Sequence, residues 1–89
     1  MKVVVKKIGE FEVNSIPYKE ARKLYQKNLK IFHNKKEEDI DTDGFYAFLE
    51  EVRVISGISE EDLTKYSMPE VDTILQTVLM EYCGLNPKS

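Results

Sequence analysis

Apolar residues recur every three or four positions in three segments of the chain, and this spacing predicts three amphipathic helices. The first follows Pro17, a residue suited to the first turn of a helix. The second runs from about Gly44 to Ser56, and the third begins after Ser67. The positions expected to face a core are Tyr18, Ala21, Leu24, Tyr25, Leu29 (or Asn28) and Phe32 with Ile31 beside them in the first helix, Phe45, Phe48, Leu49, Val52 and Ile55 in the second, and Val71, Ile74, Leu75, Val78, Leu79 and Tyr82 in the third.

Local signals mark where these helices begin and end. Gly57 is placed to terminate the second helix, and Ser67 with Glu70 forms a capping box for the third. Gly84 is placed to end the third helix, which a proline three residues later cannot continue. Residues 58–63 predict a short acidic turn of helix, closed by a hydrophobic staple.

The first fourteen residues predict a short β-hairpin. β-Branched residues in segments 2–8 and 11–14 flank a Gly-containing turn at residues 9–10. Phe11 and Val13 alternate with an acid, so one face is expected to be buried. A two-stranded hairpin is marginal alone, and this one must therefore pack on the helices.

The expected fold is α+β and mainly α: a short N-terminal β-hairpin, about three amphipathic helices and a short helical turn. With 89 residues the chain predicts a single small domain, residues 1–89, with a polar linker at residues 33–43 that we expect to be mobile. The longest apolar run, residues 3–5, is too short to span a membrane. The lone Cys83 cannot form an internal disulfide, which favours a cytoplasmic protein.

One segment has the spacing of a metal site. Asp39, Asp41, Asp43, Gly44 and Glu50 match positions 1, 3, 5, 6 and 12 of a calcium-binding EF-hand loop. Three alternating carboxylates can converge on one calcium ion, and the glutamate can close the site with both oxygens. Asp39, Asp41, Asp43 and Glu50 are therefore candidate calcium ligands.

The residues around this segment favour a different interpretation. An EF-hand needs an apolar helix leading up to the first ligand, yet residues 33–38 contain no apolar side chain, and Glu51 stands where the outgoing helix normally turns apolar. Acidic residues before a helix also cap its free amides and favour its positive end. A helix-capping linker without a cofactor is the preferred interpretation, and calcium is the alternative.

Charge is unevenly distributed along the chain, whose net charge is −3. Residues 1–36 hold ten Lys or Arg and three acids, a balance of +7, whereas residues 37–89 hold three Lys or Arg and thirteen acids, a balance of −10. The two halves can complement each other on folding. Alternatively, they can form a basic and an acidic face that favour contacts with other molecules.

No pattern indicates catalysis. His33 lies in a polar stretch without a Cys or His neighbour, and the four glycines are dispersed rather than grouped in a phosphate loop. Paired carboxylates lie in polar segments without an apolar pocket to raise their pKa. We expect the protein not to be an enzyme.

The first helix carries a basic face that is a candidate partner-binding surface. This face, with Tyr25 and Phe32 near it, can contact nucleic-acid phosphates. Against this, Tyr25 and Phe32 fit the stripe expected to be buried and the acidic second half of the chain repels nucleic acid, so nucleic-acid binding is a minor alternative. The residues of this face are Lys19, Arg22, Lys23, Lys27 and Lys30.

The order of elements resembles the tail assembly chaperones of long-tailed bacteriophages. A strand pair ends in residues 11–17 (FEVNSIP) and is followed by the amphipathic segment 18–25 (YKEARKLY), a polar linker and an apolar helix. Residues 58–63 (ISEEDL) then lead into the final helix at 68–75 (MPEVDTIL). The resemblance covers about residues 2–85 and is one of pattern and order.

The resemblance implies a non-catalytic assembly factor in the infected host cytoplasm. Its partners would be the long helical tape-measure protein and the tail-tube protein recruited around it, and it would be absent from the finished particle. Members of the family are often also made in a longer form by ribosomal frameshifting. A homo-oligomer is compatible with this role, and the contact surface is expected on the basic face and the exposed parts of the last two helices.

Overall fold

The computed structural model describes residues 1–32 and 42–84. It confirms the α+β, mainly α fold class. Residues 33–41 of the predicted linker lie outside the described residues, and the last two linker positions belong to a helix. The elements in chain order are strands β1 (Lys2–Val5) and β2 (Gly9–Glu12) and helices α1 (Tyr18–Phe32), α2 (Thr42–Ser56), α3 (Glu60–Leu63) and α4 (Met68–Tyr82).

The hairpin is antiparallel, but its turn lies at residues 6–8 and not at residues 9–10. Val5 pairs with Gly9 and Val3 with Phe11. The backbone of Lys7 takes a left-handed φ of 68° to close the connection. Because side chains alternate between faces, this register places Val3 and Val5 on the same buried side as Phe11, which the predicted turn would not do.

Helix α4 lies at the centre of the core and packs against α2 and β1. Its predicted apolar face is confirmed, with Ile74 and Val78 fully buried. From α1, Leu24 is the one buried residue among the described side chains; the side chain of Phe32 lies outside them. The buried apolar residues are Val3, Val5, Val13, Leu24, Phe48, Leu49, Val52, Ile58, Leu63, Ile74, Leu75, Val78, Leu79 and Tyr82.

The predicted helix ends are confirmed. Gly57 follows α2 with a left-handed φ of 82°, and its amide donates to the Arg53 carbonyl at 3.1 Å. Ser67 and Glu70 form the reciprocal capping box of α4, with the Ser67 amide donating to the Glu70 carboxylate at 2.9 Å. Hydrogen bonding of the Glu70 carboxylate with the backbone and then the side chain of Ser67 lowers the pKa of Glu70. Ser59 caps α3.

Asn14 joins the end of the hairpin to the ends of two helices. Its amide donates to the Ser56 carbonyl at 2.8 Å, and its side-chain amide donates to the Ile55 carbonyl at 3.3 Å. The hydroxyl of Tyr82, at the end of α4, donates to the Asn14 carbonyl. Burial raises the pKa of Tyr82, so this hydroxyl keeps its proton, and its role as a donor, into alkaline solution.

Candidate functional site

Helix α1 has two apolar faces. Leu24 is 2% exposed and faces the core, whereas Tyr18, Tyr25 and Leu29 are 71%, 37% and 40% exposed. At 100° per residue the latter three fall within about 40° of one another and about 100° or more from Leu24. The prediction that they face the core is therefore wrong, and Asn28, the alternative to Leu29, is the half-buried position. The signal that the sequence analysis missed is that Tyr18, Tyr25 and Leu29 form a second apolar line, about 100° or more around the helix from Leu24.

The exposed apolar face of α1 lies beside the end of α4, and together they form a groove of about 610 Å³, here called the α1–α4 groove. Three of the five tyrosines of the chain line it. Tyrosine combines a large apolar area with a polar tip and is enriched at protein interfaces. The apolar and aromatic part of the lining is Tyr18, Ala21, Tyr25, Leu29, Tyr82 and Cys83.

Arg22 occupies the rim of this groove. Its guanidinium donates to the Tyr18 hydroxyl at 2.6 Å and lies 5.9 Å from the centre of the Tyr18 ring. These two contacts hold a side chain that would otherwise move freely. Because a guanidinium has five N–H donors, Arg22 retains several for a carboxylate on a bound molecule.

Cys83 lies at the junction of the two helices. It is half-buried, and its thiol points to the Ala21 carbonyl, with 4.0 Å between sulfur and oxygen. Burial raises the pKa of this thiol. A thiol that is harder to ionise is a poor nucleophile, so Cys83 contributes packing and a groove wall.

Among the described residues, some basic side chains of the predicted face form ion pairs and others do not. The Lys27 ammonium pairs with Glu51 and thereby ties α1 to α2. Lys23 lies 3.8 Å from a carboxylate one turn earlier on α1. Lys19 and Lys30 are exposed and have no ion pair within residues 1–32 and 42–84.

The described part of the proposed calcium segment is helical. Because α2 begins at Thr42, Asp43 and Glu50 lie two turns apart, about 10.5 Å along the helix axis. Gly44 belongs to the same helix rather than to a sharp turn. Asp39 and Asp41 lie outside the described residues. An EF-hand loop on these ligands therefore requires the first two turns of α2 to unwind.

Glu50 already has a partner. The Arg53 Nε donates to its two carboxylate oxygens at 3.1 and 3.0 Å, and these bonds lower the pKa of Glu50. Arg53 also donates to the Ile58 carbonyl at 2.8 Å, so it fastens α2 to the turn before α3. In the part of the chain that the structure describes, no three side chains of the types that bind metals are grouped together.

We expect millimolar calcium to leave the Gly44 amide resonance unchanged in a two-dimensional NMR titration. The physical reason is that calcium would have to release Glu50 from Arg53 and break the first helical hydrogen bonds of α2. The variant Glu50→Gln serves as the control. A saturable Gly44 shift in the wild-type protein that Glu50→Gln abolishes would instead establish the calcium site.

The sequence was compared with protein-family models, curated proteins and solved structures, and none of them matches it. Within the two described segments, no helix has both the length and the apolar character needed to cross a membrane. The functional interpretation therefore rests on the α1–α4 groove and on the cations beside it.

Proposed function

We propose that this protein is a non-catalytic chaperone of phage tail assembly, which binds a helical tape-measure protein in the α1–α4 groove and helps recruit tail-tube subunits around it. The observation that carries the proposal is the exposed line of Tyr18, Tyr25 and Leu29 beside the end of α4. These apolar side chains are not part of the hydrophobic core. The order of elements, which resembles that of such chaperones, supports the same role.

The shape of the groove suits a helix. Tyr18 and Leu29 are eleven residues apart on one face of α1, about 16.5 Å along its axis. This length corresponds to three turns of a helix lying alongside. Amphipathic helices bind such grooves through apolar residues spaced three, four and seven positions apart. A long helical tape-measure protein offers that spacing repeatedly.

The size of the groove suits a temporary contact. Obligate interfaces are larger and more apolar than transient ones, and here one side of a single helix and one helix end supply the contact. Exposed cations beside the groove add attraction that speeds association more than it strengthens the complex. A partner held in this way can be released when tube subunits replace the chaperone.

The test is co-expression with fragments of a tape-measure protein from the same genome. We expect the protein to co-purify with at least one fragment and to increase the fraction of that fragment in the supernatant. The double variant Tyr25→Ser/Leu29→Ser should reduce capture at least about tenfold, because interface anchors of this kind each contribute about 1 kcal/mol or more.

A matched control separates the groove from general surface hydrophobicity. Val54 and Met68 are 62% and 63% exposed and lie outside the groove, so Val54→Ser/Met68→Ser removes apolar surface elsewhere and should leave capture unchanged. If no fragment binds the wild-type protein, the proposed function is wrong. If the groove variant captures as well as the control, the assignment of the groove is wrong.

A further inference from the structure

We infer that the α1–α4 groove selects a partner helix that carries acidic residues along one side of its apolar stripe. The inference rests on the proposed function, since it specifies the chemistry of the same partner. It follows from the positions of the charges around the groove.

Cations lie beyond one border of the groove, outside its lining, in which Arg22 is the one cation. At 100° per residue, Lys19, Lys23 and Lys30 fall within about 40° of one another around α1. Their common direction around the α1 axis is roughly 100° or more from that of Tyr25. It points away from Ala21, the residue that Cys83 of α4 contacts. The lysines therefore form a stripe on the side of α1 away from the end of α4, beyond Arg22, which lies between that stripe and the apolar floor. Lys30 also lines the hollow between α1 and α2.

The other border contains an acid. Glu81 of α4 lines the groove there, and the last carbonyls of α4 carry the negative end of the helix dipole. The α1 segment has five Lys or Arg and one acid, whereas α4 has no Lys or Arg and Glu81 is the one of its acids that lines the groove. A bound helix with acids on both borders would be repelled on the α4 side, so complementarity requires them on one side only.

The lysines that have no ion pair among the described residues also determine how acids should be spaced on the partner helix. Lys19 and Lys30 have no ion pair among the described residues and lie eleven residues apart, about 16.5 Å. Arg22 and Lys23 lie between them. Acids three or four residues apart over three turns of the partner would meet these charges in register.

A second copy of the chain fits the groove less well. Antiparallel contact of α1 with α1 across a two-fold axis would place the two lysine stripes on the same side of the interface, and like charges at an interface are unfavourable. The acidic helix α4 of another copy cannot supply the apolar stripe, because that stripe, including Ile74 and Val78, is already buried in its own core.

Two synthetic peptides of about 20 residues, long enough to form helix when bound, test the selectivity. They share one leucine stripe with helical spacing and differ only along one side of it, where one has Glu and the other Lys. In fluorescence anisotropy at about 50 mM salt we expect the Glu peptide to bind the full chain at least tenfold more tightly. That advantage should shrink at about 500 mM salt because salt screens exposed charges. Bound Glu peptide should also slow the reaction of Cys83 with a maleimide.

Two charge-reversal variants complete the experiment. Lys19→Glu/Lys30→Glu should remove the preference for the Glu peptide or reverse it. Lys6→Glu/Lys65→Glu changes the net charge equally at exposed positions outside α1 and α4 and should keep the preference. Loss of the preference in both variants would mean that overall charge, and not the lysine stripe, is responsible, and would overturn the inference.

The outcomes distinguish this inference from the proposed function. If tape-measure fragments are captured through the groove but the two peptides bind equally or not at all, the selectivity is wrong and the function stands. If no fragment is captured either, the function is wrong as well. Displacement of the Glu peptide by a single-stranded oligonucleotide would assign the lysines to nucleic acid, and displacement by a second copy of the chain would assign the groove to self-association; either result overturns the inference.

Discussion

Replacing Leu24 with alanine should lower the free energy of unfolding by about 3 kcal/mol, within the range found when a buried leucine is truncated. Leu24 is 2% exposed and is the one buried residue among the described side chains of α1. A domain of this size has a total stability of roughly 5–13 kcal/mol. The loss should therefore be visible as a clear shift of the midpoint in urea unfolding followed by circular dichroism.

Leu29→Ala provides the matched control, because it makes the same chemical change on the same helix. Leu29 is 40% exposed, so we expect a loss below about 1 kcal/mol. Similar losses for the two variants would contradict the existence of two apolar faces on α1. They would also remove the basis for the groove, since Leu29 would then belong to the core.

Gly57→Ala should destabilise the domain by about 2 kcal/mol. The left-handed backbone at this position, with φ of 82°, costs a residue with a Cβ about 1–2 kcal/mol. In addition, the new Cβ would lie 2.7 Å from the Asn14 side-chain nitrogen. The Asn14 side chain would have to turn away and give up its hydrogen bond to Ile55.

Two comparisons separate these contributions in thermal and urea unfolding. Gly84 has a similar left-handed φ of 69°, and no atom of the described residues outside its immediate neighbours lies within 4 Å of where its Cβ would be. Gly84→Ala should therefore show the backbone cost alone, about 1 kcal/mol. Gly57→Ala in an Asn14→Ala background should also approach that value. If Gly57→Ala costs no more than Gly84→Ala, the contact with Asn14 is unimportant for stability.

The parts of the fold that were predicted correctly depend on neighbouring residues. Ser67 and Glu70 cap α4 through hydrogen bonds that span three residues, and Gly57 ends α2 within a single turn. The apolar face of α4 was equally predictable from the sequence, because its apolar positions lie on one side of the helix. Each of these features is complete within a short window of sequence.

The features that were not predicted depend on distant packing. The apolar positions of α1 form two lines that overlap in a single periodic pattern, and only the packing of α1 against the rest of the domain, α2 included, decides that Leu24 is buried while Tyr18 is exposed. The groove also needs the end of α4, around Cys83, which is more than 50 residues away along the chain. The hairpin turn was misplaced for a similar reason, since the register follows the surface that β1 covers on α4.

The bond between Tyr82 and Asn14 links residues 68 positions apart, and this separation has a consequence for synthesis. At roughly 5–20 residues per second, a ribosome makes Tyr82 about 3–14 s after Asn14. Throughout that interval strand β1 has been synthesised, but helix α4, which covers it, has not. The domain can close only after α4 has emerged, and the groove, which shares Tyr82, forms at the same moment.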